Sequence, residues 1–549
     1  MTTGAERLLD VLSNAGIRFI FGNPGTTEMP IMHALRHFPE IQYVLGLQET
    51  AVVAMADGYA KASGRASFVN LHTAGGLGHA MGALLHSRIA KTPMLVTVGQ
   101  QDTRHSHTDP LLYGDAVTMA ASTVKWAREV QHPHQVVPMV RRALEAAETP
   151  PLGPTFLSLP INVLTAETTL ESAEKSKIDR NFLASGLGEL ASALAEVPPD
   201  KLAVIVSDEV AASDAGSAFV EVADILGARV YGPSWPSEVS FPVSHPLWNG
   251  HLPTTAEGIR ATLSGVHAVF IVGDNPFISY LYSEGPALPH ECRLYQLTGD
   301  GNEAGRTYAT QLACIGSLKP SLASLKELLL TSPKRNDVAK LRHVALIEQK
   351  LRHNALEETV QEQFSDVPIP PFVAAAEVAA SLSHNVIVVD EAPATMVHMR
   401  SFLERVSINR YFFMRSAILG WGLPAAVGVA LASPSTPVVA LIGDGSALYA
   451  PQALWTAARF KLPVTFVIMN NSEYNILKRY SVSQGYEVGG NSTIPGMELE
   501  NPFIDYQALA MAFGVPSRRV THADEVQPAI KTAMQSGLPN LIEIVIRAS

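Results

Sequence analysis

The apolar residues of this chain form short β-branched runs that alternate with longer amphipathic stretches of helical period. In the first 180 residues helices and strands are predicted in turn, in the order Gly4–Asn14, Arg18–Phe21, Thr50–Ala62, Ala66–Leu71, His79–Ile89 and Met94–Val98. Strands that are separated by helices favour a parallel sheet with helices on both faces. We therefore predict a doubly wound α/β domain in this region.

The same alternation recurs twice more along the chain. Further strands are predicted at Leu202–Val206, Arg229–Tyr231, Ala268–Val272, Arg293–Leu297, Val438–Ile442 and Val464–Met469. A polar stretch (Glu167–Arg180), a charge-rich stretch (Lys334–His353) and the sequence PIPPF (Pro368–Phe372) interrupt the pattern. We predict an α/β fold of three doubly wound parallel-sheet domains, with boundaries at 1–180, 181–344 and 345–549.

Composition narrows the class of protein. A chain of 549 residues is too long for a single hydrophobic core, and its composition, 47% hydrophobic and only 17% charged, indicates extensive burial. A net charge of −11 argues against nucleic-acid and anionic-membrane partners, which usually need a basic face. The uncharged stretch Ser416–Gly443 contains prolines and glycines that divide it into a helix and a strand, so we expect no membrane span.

Two cysteines, Cys292 and Cys314, make neither a disulfide framework nor a zinc spacing. The N-terminal residues carry charges within an amphipathic pattern and show no signal-peptide core. We expect a cytoplasmic protein.

The candidate chemistry lies at the ends of two predicted strands. The strand Val438–Ile442 runs into Gly443-Asp444-Gly445-Ser446, and the strand Val464–Met469 runs into Asn470-Asn471. Parallel strands deliver their carboxyl ends to one edge of the sheet, so Asp444 and Asn471 can meet there. Their oxygens suit Mg²⁺, and the glycines let backbone N–H groups approach a phosphate. The segment predicts a site for a diphosphate and a magnesium ion.

This spacing resembles the diphosphate-binding signature of the thiamine-diphosphate-dependent enzymes, which is GDG followed after two dozen or more residues by NN. Four N-terminal segments are similar to the pyrimidine-binding domain of benzoylformate decarboxylase: FGNPGTTEMP (Phe21–Pro30), LQETAVVAMADGYA (Leu47–Ala60), NLHTAGGLGHAMGAL (Asn70–Leu84) and VGQQ (Val98–Gln101). The resemblance covers essentially the whole chain. It implies a pyrimidine-binding domain, a central Rossmann-like domain and a diphosphate-binding domain, in the order of the three units above.

The resemblance also implies roles for individual residues. The metal ligands would be the side chains of Asp444 and Asn471 and the carbonyl of Glu473. Leu419 would lie under the bent cofactor and bring its two rings together. The other cofactor-binding positions would be Gly443, Gly445, Ser446, Tyr474, Asn475 and Ile476. One departure is that Pro393 and Ala394 stand where the family has two hydroxyl residues.

The implied catalytic residues are Glu49, His72, Thr26 and Tyr280. Glu49 would hydrogen-bond the aminopyrimidine ring and drive deprotonation of the thiazolium carbon, a task that a desolvated carboxyl suits. His72 would transfer protons, and Thr26 would contact the substrate carboxylate in place of a serine. Tyr280 replaces a second histidine, and a tyrosine, whose ordinary pKa is about 10, is the poorer proton shuttle near neutrality.

The function implied is decarboxylation of a small-molecule 2-oxo acid with thiamine diphosphate and Mg²⁺, with or without carboligation of the acyl carbanion to a second carbonyl. Alternatives within the class are an acetolactate-synthase-like carboligase and a 2-hydroxyacyl-CoA lyase. The resemblance further implies a homo-oligomer, a dimer or tetramer, whose active sites are shared between subunits.

Two different classes stay open at this point. Gly76-Leu77-Gly78 with Gly82, followed by Asp102, imitates a dinucleotide-binding fingerprint and would indicate an oxidoreductase, although the third glycine is displaced. A non-catalytic cofactor-binding subunit is the other alternative. Retention of Glu49, Asp444 and Asn471 together argues against it.

Overall fold

Three parallel β-sheets, each with six strands and with helices on its faces, form the framework of the molecule. The computed structural model describes residues 2–331, 338–486 and 494–548, apart from the side chain of residue 405. The predicted α/β class with three doubly wound sheets is confirmed. Among the described residues no helix is both long and apolar enough to cross a bilayer.

The first unit has the strand order β3-β2-β4-β5-β7-β6, with every pair parallel. A short antiparallel pair, β1 with β8, joins its beginning to its end. Its elements are β1 (Thr2–Thr3), α1 (Gly4–Asn14), β2 (Phe19–Gly22), α2 (Met29–Ala34), β3 (Gln42–Leu45), α3 (Glu49–Ser63), β4 (Ser67–Leu71), α4 (Thr73–Ile89), β5 (Met94–Gln100), α5 (Ala116–Ala121), β6 (Trp126–Glu129), α6 (Val136–Glu148), β7 (Pro154–Pro160), α7 (Ile161–Thr165) and β8 (Glu167–Thr168).

The central unit has the parallel order β11-β10-β9-β12-β13-β14. The runs Leu202–Val206 and Ala268–Val272 form its two middle strands with the predicted bounds. Its elements are α8 (Leu187–Ala195), β9 (Leu202–Val206), α9 (Asp208–Ala212), α10 (Gly216–Leu226), β10 (Arg229–Gly232), β11 (Trp248–His251), α11 (Ala256–Thr262), β12 (Ala268–Val272), β13 (Arg293–Thr298), β14 (Leu312–Ile315), α12 (Leu318–Thr331) and α13 (Val338–Gln363).

The third unit has the parallel order β16-β15-β17-β18-β20-β19. The predicted strands at Val438 and Val464 are its two middle strands, and two helices connect them. Its elements are α14 (Pro371–Ser381), β15 (Ile387–Glu391), α15 (Met396–Arg400), β16 (Tyr411–Phe413), α16 (Gly422–Ala432), β17 (Val438–Gly443), α17 (Asp444–Ala447), α18 (Ala453–Phe460), β18 (Val464–Asn470), α19 (Asn475–Ser483), α20 (Tyr506–Ala512), β19 (Ser517–Val520), α21 (Ala523–Gln535) and β20 (Asn540–Val545).

Helices α3 and α16 cross at very short range and join the first unit to the third. A Cβ atom at Gly58 would lie 2.1 Å from the carbonyl oxygen of Ala425, and one at Gly428 would lie 1.8 Å from that of Met55. Only glycine allows two backbones to approach this closely. One of the largest apolar clusters runs through this crossing and includes the residues of both helices. The crossing therefore fixes α3, and with it Glu49 at its first position.

Helix α13 covers the seam between the central and third units. Residues 334–337 of the charge-rich stretch lie outside the described residues, and the rest of that stretch belongs to this helix. The predicted boundary between residues 344 and 345 thus falls inside a continuous helix, so that boundary is not a structural break. Arg229 of the central unit pairs with Glu348 of α13 at 3.1 Å, which ties the helix to the central unit.

The carboxyl edge of the central sheet is occupied by cations from both neighbouring units. Lys91, at the end of α4, pairs with Asp274 at 3.0 Å and with Asp300 at 2.8 Å. Arg415, which follows β16, pairs with Asp208 at 2.9 Å. In many doubly wound domains this edge is the ligand-binding edge. Here ion pairs between the units line a cavity of about 350 Å³ at this edge.

Candidate active site

Asp444 stands at the end of β17, the middle strand of the third sheet, and its carboxylate is the centre of a network of backbone N–H groups. Its Oδ1 accepts from Gly445 N at 2.7 Å, and its Oδ2 accepts from Asn471 N at 3.0 Å and from Ser472 N at 2.6 Å. Burial raises the pKa of Asp444 to about 6, although these hydrogen bonds oppose the rise. The carboxylate is thus a desolvated negative charge that a cation would stabilise.

The turn after β18 brings the second half of the motif to the same edge. Asn471 Oδ1 accepts from Glu473 N at 3.2 Å, and Ser472 takes a positive φ of 56° between them. The side chain of Glu473 is held by Asn475 Nδ2 at 2.8 Å and by the ammonium of Lys478. With its carboxylate engaged in this way, Glu473 can offer its backbone carbonyl to a metal.

A cavity of about 560 Å³ opens in front of this turn. Its described lining residues all fall between Trp235 and Ile546, and they include every cofactor and metal position predicted in the third unit: Leu419, Gly443, Asp444, Gly445, Ser446, Asn471, Glu473, Tyr474, Asn475 and Ile476. A Cβ atom at Gly445 would lie 2.6 Å from the ring of Tyr474, so the missing side chain keeps this cradle open. The volume of this cavity lies within the range of cavities that bind small-molecule cofactors in proteins.

The donor set fits a hard divalent cation. Asp444 supplies a carboxylate, Asn471 an amide oxygen and Glu473 a backbone carbonyl, all at one sheet edge. Magnesium prefers such oxygen ligands and completes its shell with water and phosphate oxygens. Among the described residues no group of three or more His, Cys, Asp or Glu side chains could hold a metal, so a mixed set of this kind is the candidate metal site.

Leu419 reaches the cavity from a loop that Glu391 holds in place. The Glu391 carboxylate accepts from Gly420 N at 2.6 Å and also from Gly422 N. Complete burial raises the pKa of Glu391 to about 8, and the three backbone N–H groups of residues 420–422 oppose the rise. Sequence analysis gave Glu391 no role. The chain position alone could not reveal it, since the contact joins residues about 30 positions apart.

Glu49 is the first residue of α3, where the helix dipole favours a negative charge. Its Oε2 lies 3.1 Å from His79 Nδ1, and its side chain is only 12% exposed. A Cβ atom at Gly76 would be 3.2 Å from Glu49 Oε1, so a glycine there leaves room around the carboxylate. The Glu49 side chain is therefore mostly packed against its neighbours, and a small part of it stays exposed to solvent.

His72 follows β4 as the N-cap of α4 and is oriented by a buried carboxylate that the sequence did not single out. Glu28, whose side chain is fully buried, places Oε2 2.8 Å from His72 Nδ1, and Thr27 Oγ1 lies 3.1 Å from the same nitrogen. Glu28 also accepts from Gly25 N at 3.0 Å and from Thr27 Oγ1 at 2.8 Å. Because Nδ1 is engaged, the histidine presents Nε2 as its free nitrogen, and its side chain is 24% exposed.

The two substituted substrate positions are both exposed, but in different places. Thr26 begins the short 3₁₀ turn that carries Glu28 in the first unit. Tyr280 is 56% exposed, lines the 560 Å³ cavity and stacks on Trp235 at 6.4 Å between ring centroids. Tyr280 thus lines the cavity in front of the Asp444 motif, although it is part of the central unit.

Within one chain the predicted residues form two groups. Glu49, His72 and Thr26 lie on the first unit, while the metal and diphosphate positions and Tyr280 lie around the cavity. The dinucleotide interpretation is wrong, because Gly76, Gly78 and Gly82 lie inside helix α4 rather than in a strand-to-helix turn.

Comparison with known proteins gives concordant matches. The model of the thiamine pyrophosphate enzyme N-terminal TPP binding domain matches residues 2–123, and that of the C-terminal TPP binding domain matches residues 394–544. A benzoylformate decarboxylase of Pseudomonas aeruginosa is 32% identical over 550 residues, which cover 99% of each chain. The acetolactate synthase large subunit of Lactococcus lactis subsp. lactis is 23% identical, over 100% of this chain and 93% of that one.

A solved structure gives the same result. The thiamine diphosphate-dependent 4-hydroxybenzoylformate decarboxylase of Rhodococcus jostii RHA1 matches this fold with a TM-score of 0.88 and 31% identity, and the match covers 100% of both chains.

Proposed function

The chain belongs to the thiamine pyrophosphate enzyme family, and we propose that it uses thiamine diphosphate and Mg²⁺ to decarboxylate a 2-oxo acid, with or without ligation of the acyl group to a second carbonyl. The observation that carries this proposal is the meeting of Asp444, Asn471 and Glu473 at one sheet edge, in front of a cavity of about 560 Å³. A benzoylformate decarboxylase and a 4-hydroxybenzoylformate decarboxylase are among the relatives, which favours a 2-oxo acid with a bulky acyl group.

In this proposal the cofactor supplies the electron sink for decarboxylation, and the chain supplies binding and proton management. Asp444, Asn471 and the Glu473 carbonyl would hold the magnesium ion, and the Gly443–Ser446 segment, which lines the cavity, would bind the diphosphate. Leu419, whose loop Glu391 secures, sets the shape of the pocket between the two cofactor rings.

The remaining groups handle protons. Glu49 would hydrogen-bond the pyrimidine ring of the bound cofactor and would promote loss of the thiazolium proton. His72, oriented by Glu28, donates or accepts a proton at Nε2 on the substrate side. Thr26 donates a hydrogen bond to the substrate carboxylate, and Tyr280 with Trp235 forms the wall beside the acyl group.

Glu49→Gln tests this function directly. An amide cannot exchange the proton that a carboxyl exchanges, so we expect slower deuterium exchange at the thiazolium carbon of bound cofactor and nearly unchanged cofactor affinity. Gln48→Glu, at the helix N-cap, is a matched control that keeps Glu49 and should leave the exchange rate close to wild type. Equal exchange rates in Glu49→Gln and wild type would remove Glu49 from the mechanism.

We further propose that the active site is shared between subunits of a dimer, or of a tetramer built from dimers. The support is that the described residues lining the cavity include none of the first 180 positions, where Glu49 and His72 lie. Exposed apolar side chains also stand beside both groups, Met29 and Leu47 on the first unit and Tyr449 and Leu477 on the third. An isologous interface would pair these surfaces and close the site to water.

Mixed oligomers test the shared site. Glu49→Gln and Asp444→Ala subunits should each be inactive alone, and their mixture should regain activity because one of two sites would then carry both wild-type groups. Inactive mixtures of verified composition, or an active monomer in analytical ultracentrifugation, would contradict it.

A carboligase of the acetolactate-synthase type or a 2-hydroxyacyl-CoA lyase is the second candidate. Similarity to the Lactococcus acetolactate synthase subunit supports the former, and Tyr280 favours ligation because a phenol is a slower proton donor to the acyl carbanion than an imidazolium. Product identification with aryl, alkyl and CoA-linked 2-oxo acids separates these outcomes. We place the reaction in the cytoplasm, in keeping with two free cysteines.

A further inference from the structure

A second cavity, of about 520 Å³, lies beside the cofactor cavity, where the central unit meets helices α13 and α15. We call it the Arg400 cavity; its wall includes Trp235, Trp248, His251, Arg352, Arg400 and Glu404. Trp235, Thr254, Met396 and Val397 line both cavities, so the two are neighbours across a shared wall. None of the roles proposed above uses the Arg400 cavity.

The charge on this wall is predominantly positive. Among the described lining residues, Arg352 and Arg400 are the permanent cations and Glu404 is the only carboxylate. Glu404 already faces His353 Nδ1 at 3.4 Å. An anion entering the cavity would therefore meet two guanidinium groups and one carboxylate that is already engaged.

Arg400 carries the argument because its charge is buried and incompletely satisfied. Only 9% of the residue is exposed, and in the part of the chain that the structure describes it forms no ion pair. Its Nε and Nη2 atoms are buried without a hydrogen-bond partner. These atoms form one edge of the guanidinium, the edge that binds a carboxylate through two parallel hydrogen bonds.

The nearby acidic group does not consume this charge. Asp390 feels the charge of Arg400, but its Oδ1 accepts from Ala392 N at 2.9 Å and its Oδ2 accepts from Tyr411 Oη at 2.6 Å. The guanidinium itself lies 4.5 Å above the ring of Phe413, a stacked position in which its Nε and Nη2 atoms are buried without a hydrogen-bond partner. Buried cations without a carboxylate partner are costly, which favours an external one.

The rest of the wall suits an apolar or aromatic body. Trp248 and Trp235 provide flat surfaces, and His251 packs edge-on against Trp248 at 5.1 Å. Burial and the charge of Arg400 lower the pKa of His251 to about 3, so the imidazole is neutral, and its Nδ1 has no partner. The histidine therefore places a neutral aromatic ring beside the cation.

We propose that the Arg400 cavity binds a small organic carboxylate, with the carboxylate on the guanidinium of Arg400 and the apolar body against Trp248 and Trp235. Nε and Nη2 are closed off from solvent in this structure, so binding of the carboxylate requires the Arg400 guanidinium to turn away from the Phe413 ring. The carboxylate belongs either to a separate ligand or to the far end of an elongated substrate that crosses the shared wall. Binding of the carboxylate does not depend on the proposed function, whereas its assignment to the far end of a substrate rests on it.

Benzoate, with neutral benzamide as its matched control, tests the binding in the purified protein with thiamine diphosphate and Mg²⁺ added. We expect saturable quenching of tryptophan fluorescence by benzoate and not by benzamide. Arg400→Gln should weaken benzoate at least tenfold, and Arg400→Lys, which keeps the charge but not the two-pronged edge, should weaken it less. Equal affinity in Arg400→Gln and wild type, or equal affinity for benzamide, would overturn the proposal.

Trp248→Phe locates the probe, because Trp248 lines the Arg400 cavity and is absent from the described wall of the cofactor cavity. Most of the quenching should disappear in this variant. Quenching that survives in Trp248→Phe and is lost in Arg479→Gln, a change in the cofactor cavity wall, would place benzoate in that cavity and overturn the proposal. These two variants also decide the matter if Arg400→Gln does not fold.

Kinetics then distinguish the two sources of the carboxylate. If it is the far end of a substrate, benzoate competes with a dicarboxylic 2-oxo acid, and Arg400→Gln lowers kcat/KM for that acid more than for a monocarboxylic one of equal length. If it is a separate ligand, benzoate leaves the KM of monocarboxylic 2-oxo acids unchanged. Both outcomes support the carboxylate site.

Discussion

Gly428→Ala is the substitution that most sharply tests how the molecule holds Glu49. The added Cβ atom would lie 1.8 Å from the carbonyl oxygen of Met55 and 2.7 Å from the N atom of Tyr59, both backbone atoms of α3. No side-chain rotation relieves such a contact, so α3 and α16 must separate until the distance reaches an ordinary value of at least 3.4 Å.

Two opposing terms set the size of the effect. Alanine stabilises a helix interior by about 0.8–1.0 kcal/mol relative to glycine. Overpacking costs about 1–3 kcal/mol and more where backbone must move, so we place this crossing at the upper end of that range. The net expectation is a loss of about 2 kcal/mol. For a unit of this size that loss corresponds to a fall in Tm of roughly 4–8 °C.

The assay is thermal unfolding followed by circular dichroism, with Gly188→Ala as the control. Gly188 lies in α8, and a Cβ atom there meets nothing within 4 Å, so the control should keep or raise Tm. Because Glu49 begins α3, the proposed mechanism also predicts slower deuterium exchange on bound cofactor in Gly428→Ala. A Tm equal to or above wild type would show that the crossing is loose and would refute the reasoning.

Two further predictions concern titrating groups. Glu28→Gln removes the charge that orients His72, so kcat should fall at least about tenfold, with KM little changed and an altered pH profile; unchanged kcat and pH profile would remove Glu28 from the site. Burial lowers the pKa of His86 from about 6.5 to about 4, so between these values the unfolded chain binds a proton that the folded chain does not. Stability should therefore fall by about 1.6 kcal/mol from pH 6.5 to pH 5, and His86→Gln should flatten the dependence of Tm on pH; an equal slope in both proteins would contradict this.

The local sequence pattern predicts the bounds of a strand correctly where the strand is buried on both faces. The strands at Leu202–Val206 and Ala268–Val272 end as predicted because apolar runs fill both faces of a parallel strand. Helix α4 starts at Thr73 rather than His79. The glycines of its first turns weaken the helical pattern in the sequence, although Gly76 packs against Glu49 within the helix. The charge-rich stretch Lys334–His353 predicts an interruption of the pattern rather than a helix, because α13 is polar on nearly all sides and buries only Val360.

The candidate site likewise has residues that the sequence predicts and residues that it does not. The motif at Asp444 and Asn471 was predictable because both residues follow strands that share an edge, and the structure places them there. Glu28 and Glu391 were not, since each acts through a contact with a distant loop that no local spacing encodes. Their roles, like those of the predicted catalytic residues, stay predictions for the experiments above.

The ion pairs at the carboxyl edge of the central sheet bear on how such chains can be recombined. Lys91 and Arg415 reach that edge from opposite neighbours and neutralise carboxylates that would otherwise be buried alone. A chimera that exchanges only the central unit for a homologous one separates each cation from its anion. Lys91 and Arg415 must therefore be transferred to the chimera together with Asp208, Asp274 and Asp300, although these residues lie in three different parts of the chain.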